Sequence, residues 1–228
     1  MSTPPNIAAR TPLTGAPGAA FNIHRPPLRH CSNCGTRIER VIPPGDARER
    51  AVCPACGGIH YENPKVVVGC IPVFEDRIIL CKRAIEPRYG YWTLPAGFME
   101  NGETSAEGAA RETLEEAGAA AIDLHAFALL DVPYVNQVHL FYRARLAAPA
   151  FSSGEESLET RLYTEAEVPW QDLAFRTVIE TLKLFFADRK KGSFGFHTVP
   201  IVMPVMPVMP VMPVMPVMPV MPSQPPRP

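Results

Sequence analysis

The chain has 228 residues, enough for one ordinary domain with attachments, and 22 basic against 23 acidic side chains give no global pull toward nucleic acid. No apolar run reaches the roughly 18 residues that a membrane span needs. Proline is over-used at 27, much of it at the two ends, so the folded part should be shorter than the chain.

Residues 1–27 are rich in Pro, contain Arg and lack any acidic residue, and they read as a flexible tail. An acid-free, Arg-containing N-terminus leaves an organelle transit peptide open, although the prolines would interrupt a long amphipathic helix. No secretory apolar segment is present, so the expected compartment is cytoplasmic and reducing.

Residues 28–64 hold Cys31-x2-Cys34 and, after eighteen residues, Cys53-x2-Cys56. This spacing predicts a four-thiolate zinc site, with Gly35 and Gly57 at the turns of the two knuckles. Four thiolates complete a tetrahedron and leave no open position, so the zinc is structural. The rival reading, two disulfides, is disfavoured in a reducing compartment. His30 and His60 flank the knuckles and read as bystanders. Several arginines lie here but no interleaved aromatic run, so the segment reads as a folding or docking module rather than an RNA grip.

From Lys65 a globular pattern begins. Val66–Ile71 predicts a buried strand, Glu75-Asp76 a turn, and Arg77–Lys82 the returning strand of a hairpin. Cys70 and Cys81 read as small core residues. The stretch from Gly97 to Ala119 reads as a tight loop and an acidic helix. Thr104 and Glu107 form a capping box and Gly118 the C-terminal stop. Glu112, Glu115 and Glu116 stand at i, i+3 and i+4 on one side of that helix. A hard divalent cation would convert their repulsion into attraction; a solvated acidic face is the bland alternative. Further strands are expected at Ile122–Leu130, Val135–Leu146 and Thr160–Tyr163, and a second helix at about Phe175–Arg189 with an apolar stripe of Val178, Ile179, Leu182, Phe185 and Phe186. Seven tandem Val-Met-Pro copies over 202–222 forbid helix or central strand and predict an extended or disordered tail over 199–228.

Gly97, Glu103, Arg111-Glu112, Glu115-Glu116 and Gly118 match the Nudix box G-x5-E-x7-R-E-U-x-E-E-x-G-U at every fixed position; Thr113 and Ala119 are mild departures at its aliphatic positions. The chain thus resembles the Nudix hydrolases. The preceding ribbon, Tyr61–Lys65, Leu80–Arg83, Trp92–Gly97, Glu156–Glu159 and Lys190–His197 look like the branch containing the plant chloroplast FAD/ADP-ribose pyrophosphatase and its bacterial relatives, over roughly residues 30–198. The resemblance implies an α/β fold, an α/β/α sandwich with a mixed sheet over 65–198. It also implies a Mg²⁺- or Mn²⁺-dependent hydrolase of a nucleoside diphosphate linked to another group, acting on a small-molecule nucleotide and forming a homodimer.

By the same resemblance, Glu112, Glu115 and Glu116 are cation ligands, and Ala96 and Gly97 bring backbone close to metal or phosphate. Glu115 either ligates or helps the attacking water. Arg111 and Glu103 pair to brace loop against helix. A further acid, Glu156 ahead of Glu159, follows the Gly154 turn as ligand or general base; a charged surface loop is the alternative. Tyr89, Phe98 and Tyr134 are candidates to stack on a base. The implied substrates are FAD, giving FMN and AMP, and ADP-ribose, giving AMP and ribose 5-phosphate. The other zinc-ribbon branch, the NADH pyrophosphatases that also remove NAD caps from RNA, carries an S-Q-P-W-P-F-P-x-S run after the box. Nothing of the kind follows Gly118 here. A non-catalytic nucleotide sensor is a third reading, disfavoured because all box carboxylates are kept.

Overall fold

In the zinc-ribbon segment three short strands, β1 (Glu39–Val41), β2 (Arg50–Val52) and β3 (Ile59–His60), form an antiparallel sheet in that order. This is a computed structural model, and it describes residues 28–202. The expectations for 1–27 and for the repeat beyond Val202 lie outside the described residues. The two knuckles close alike: the amides of Gly35 and Gly57 donate to the carbonyls of Cys31 and Cys53, each at 2.9 Å. That pair of turns brings the four sulfurs within 4.8 Å of one another.

The second sheet is built around β4 (Lys65–Phe74), whose apolar side chains alternate between two buried faces. It pairs antiparallel with β5 (Arg77–Arg83) through the expected hairpin, and with β7 (Ala96–Phe98) at its other end. The short β6 (Trp92–Thr93) lies on β5. The acidic helix α1 (Ser105–Ala117) follows, then the long β8 (Ala121–Val132) and β9 (Gln137–Leu146). β9 lies parallel to β4 and antiparallel to β8. β10 (Ser157–Tyr163), α2 (Arg176–Lys191) and β11 (His197–Pro200) complete an eight-stranded mixed sheet of order β10-β5-β4-β9-β8-β11.

Helices cover both faces. Val68 and Cys70 of β4 pack with Ala109 of α1, Tyr142 and Ala144, and Ile79 and Cys81 of β5 pack with Ala117 and Ala119. Ile71, Ile78 and Leu80 point the other way, onto Leu182, Phe185 and Phe186 of α2. The apolar stripe read on α2 is therefore core, and Cys70 and Cys81 are fully buried packing residues.

Several details differ from the sequence reading; β10, for one, begins at Ser157 rather than Thr160. A 3-10 turn at Pro133–Val135 delays β9 to Gln137, because Pro133 lacks an amide for the ladder. The short β6 and β7 carry too few residues to show a period. The chain also does not leave the fold at 198. β11 runs parallel to β8 through Pro200, and Ile201 is buried, its amide donating to the Asp131 carbonyl at 2.8 Å. Pro200 is tolerated because β11 is an edge strand. No helix among the described residues is long and apolar enough to cross a membrane.

Candidate active site

The capping box forms as read: the Thr104 hydroxyl accepts the Glu107 amide, and the Glu107 carboxylate accepts the Thr104 amide at 2.7 Å. α1 is thereby started at a defined residue, and its inner face carries Gly108, Ala109, Glu112, Thr113, Glu116 and Ala117. Glu112 and Glu116, one turn apart, point inward toward β7. Glu115 is turned outward, with 58% of its side chain exposed. Thr113, at an aliphatic position of the box, is buried and satisfies its hydroxyl on the Ala109 carbonyl at 2.8 Å.

β7 is the opposing wall. The Ala96 amide donates to Glu116 Oε2 at 3.2 Å. Gly97 follows, and a Cβ there would overlap the Glu112 carboxylate, so a larger residue would displace that acid from the strand. Arg111 ties the loop to the helix. Its guanidinium grips Glu103 in a bidentate pair, 2.9 and 2.8 Å, and donates to the Phe98 carbonyl at 3.3 Å. Its Nη1 bridges Glu112 at 2.8 Å and Glu115 at 3.0 Å. Arg111 holds the Glu103 carboxyl down at about 2.

Burial pushes Glu116 up to about 8, with the neighbouring Glu112 and Glu156 charges adding to the rise and the Ala96 amide and Arg83 opposing it. Burial also raises Glu112, against the pull of Arg111. Two half-dry carboxyls side by side, with more negative charge nearby, form a site short of positive charge. A hard divalent cation fits that donor set, supplied by carboxylate oxygens and the backbone at Ala96.

A third wall comes from the loop after β9. The Ser152 and Gly154 amides donate to the Ala117 and Glu116 carbonyls at 2.9 and 3.1 Å, closing the C-terminal end of α1. A Cβ on Gly154 would overlap the Glu115 carbonyl, so the loop can pack this tightly only with glycine there. The chain then turns, and Glu156 stands exposed, its charge felt by Glu112 and Glu116. Its carbonyl accepts the Ala84 amide at 2.8 Å. Glu159, by contrast, is ion-paired with Arg161 along β10. Glu155 is exposed.

Arg83 ends the Leu80–Arg83 motif, to which the sequence reading gave no role at the site. It is half-buried at the end of β5, its charge acts on Glu116 and Glu156, and its guanidinium lies 5.1 Å from the Phe175 ring centre. Its Nε donates to the Pro87 carbonyl at 2.9 Å. The signal available was a cation ending an apolar strand, Ile78 to Arg83. Phe98 and Tyr89 are exposed, with Lys65 Nζ 4.6 Å from the Phe98 ring centre; Tyr134 is also exposed.

At the ribbon, Cys31 and Cys56 sulfurs lie 3.7 Å apart and Cys34 and Cys53 sulfurs 3.4 Å apart, a cluster that fits one tetrahedral zinc. His60 Nε2 stands 3.3 Å from the Cys31 sulfur, outside the four-sulfur set.

Residues 63–181 match the family profile described as NUDIX domain, and residues 29–62 match the one described as Nudix N-terminal, a zinc ribbon. The crystal structure of a NUDIX hydrolase from Nitrosomonas europaea is 49% identical, covers 76% of this chain and 99% of its own, and superposes with a TM-score of 0.74. The NAD-capped RNA hydrolase NudC of Pseudomonas aeruginosa is 28% identical over 136 residues, 58% of this chain and 45% of the relative. The ADP-ribose pyrophosphatase of Methanocaldococcus jannaschii is 43% identical over 58 residues, 25% of this chain and 34% of the relative. The chain thus spans about half or less of the length of these curated relatives.

Proposed function

The chain belongs to the Nudix family, with a zinc ribbon ahead of its Nudix domain, and from that premise we propose that it hydrolyses the pyrophosphate bond of a nucleoside diphosphate linked to another group. The lead substrates are ADP-ribose, cleaved to AMP and ribose 5-phosphate, and FAD, cleaved to FMN and AMP. The observation that carries the reading is the pair of inward carboxyls, Glu112 and Glu116, set against the backbone of Ala96 and Gly97. ADP-ribose is favoured by the name of the Methanocaldococcus relative, and FAD by the branch motifs quoted above.

Glu112, Glu116 and the Ala96 carbonyl would hold Mg²⁺ or Mn²⁺, with Glu115 released from Arg111 as a further ligand. When bound, the cation neutralises phosphate charge and acidifies a water. Glu156 takes a proton from the attacking water as its oxygen bonds to phosphorus, and the P–O bond of the anhydride breaks, leaving two phosphomonoesters. Arg83, whose charge already acts on Glu116 and Glu156, supplies positive charge to the diphosphate, its guanidinium stiffened by stacking on Phe175. Arg111 and Glu103 hold loop and helix together and touch no substrate.

A second reading, action on NAD-capped RNA, is favoured by the NudC relatives, which align over more than half of this chain. The test is product analysis with Mg²⁺ or Mn²⁺ over ADP-ribose, FAD, NADH and NAD-capped RNA, beside Glu116→Gln. Fastest release of AMP with ribose 5-phosphate or FMN, lost in the variant, supports the lead reading. Faster cleavage of NADH or capped RNA replaces it. Binding without cleavage of any substrate refutes catalysis and leaves a nucleotide sensor.

A further inference from the structure

A second cleft, of about 710 Å³, shares no residue with the carboxylate site. Its walls come from the far ends of β4, β8 and β9 and from α2 and the segment after it. β8 opens it: the register of that strand shifts between Ile122 and His125, where Asp123 adopts φ 54°. The bulge turns Asp123, Leu124 and His125 onto the cleft. Phe194, from the Lys190–His197 motif, forms part of the opposite wall. It is placed by the Asp188 carboxylate, which accepts the Gly195 amide at 3.0 Å and pairs with His197 at 2.8 Å.

Charge in the cleft is unbalanced. Its two acids are each matched: Asp123 by Arg145 at 2.9 Å and Glu75 by Arg77 at 3.7 Å. Arg143 and Arg189 form no ion pair among the described residues, although the charges of Asp76 and Glu165 act on Arg189; aromatic faces hold both guanidinia. The Arg143 guanidinium lies 4.2 Å from the Phe194 centroid, and that of Arg189 lies 4.6 Å from the Phe185 centroid, with Arg189 Nη1 donating to the Asp76 carbonyl at 2.6 Å. Stacking on a ring leaves guanidinium N–H groups for a planar or tetrahedral oxyanion, at Arg189 those other than the Nη1 group given to Asp76. Val73, Leu124 and Ala144 add apolar surface to the lining. The volume falls in the range of small-molecule sites, about 300–1,000 Å³.

We propose that this cleft binds a phosphate ester of nucleotide size, its phosphate on Arg143 and Arg189 and its apolar body over Val73, Leu124 and Ala144. The site is separate from the hydrolytic one and does not depend on the function proposed above.

The test is calorimetric titration of AMP into the full chain carrying Glu116→Gln, without added Mg²⁺, with inorganic phosphate and adenosine as parallel probes. One AMP should bind per chain, with phosphate weaker and adenosine undetected. Arg143→Gln and Arg189→Gln should each weaken AMP about tenfold or more. Arg143→Lys keeps the charge and stem and should weaken AMP less than Gln does, which keeps the result readable if the Gln variant folds poorly. No AMP binding, binding insensitive to both arginines, or adenosine binding as tightly as AMP overturns the proposal. Phosphate binding as tightly as AMP overturns the nucleotide-sized ligand.

Discussion

Replacing Glu116 with glutamine should stabilise the protein and silence it at once. The carboxyl is buried against β7 and pushed from its ordinary 4.5 to about 8. Between those two values the unfolded chain has released the proton and the folded protein keeps it, so Mg²⁺-free stability falls as pH rises through that window and is lowest above about 8. Each pH unit between the two values is worth about 1.4 kcal/mol, so full ionisation costs the fold roughly 4–5 kcal/mol. Glutamine keeps the acceptor for the Ala96 amide and carries no charge. By urea denaturation near pH 9.5 without added Mg²⁺, Glu116→Gln should exceed wild type by at least ~2 kcal/mol, and near pH 5 the two should coincide. Added Mg²⁺ should reverse the order at alkaline pH, because it binds the wild-type carboxylate and not the amide. A variant less stable than wild type at alkaline pH without Mg²⁺, or one that Mg²⁺ still stabilises as strongly, would refute the reasoning.

Gly97→Ala should cut kcat about a hundredfold with the fold intact, since the new methyl displaces the Glu112 carboxylate; unchanged steady-state kinetics would show that strand and acid are not in functional contact. Arg111→Ala frees Glu103, so the stability that this pair lends, present at neutral pH and lost as pH falls from 4.5 through about 2, should be missing from an acid-denaturation curve of the variant. Metal analysis should find one zinc per chain, abolished by Cys53→Ser and retained by His60→Ala; loss of zinc in the histidine variant would add that ring to the ligand set.

The residues that could be read from sequence were those whose meaning is local. The paired cysteines, the capping box at Thr104 and Glu107, and the Glu112–Glu116 spacing each lie within a turn or a knuckle, where geometry follows from residue separation alone. The apolar run Val66–Ile71 and the stripe on α2 likewise predicted a buried strand and a helix face that enters the core. The two stretches too short to show a period, Trp92–Thr93 and Ala96–Phe98, went unread, and β11 was hidden behind a proline.

What depended on tertiary structure was which charges face which. Spacing puts three glutamates on one side of a helix, but only β7 against that helix separates two buried acids from an exposed third. Arg83 and Glu156 are 73 positions apart and meet across the site because β5 and β10 are neighbours. The Lys190–His197 motif appears among residues that suggest a substrate class, yet the fold sends Phe194 to the second cleft. Local sequence carries the identity of a helix and its caps; desolvation and long-range charge exist only once distant strands are side by side.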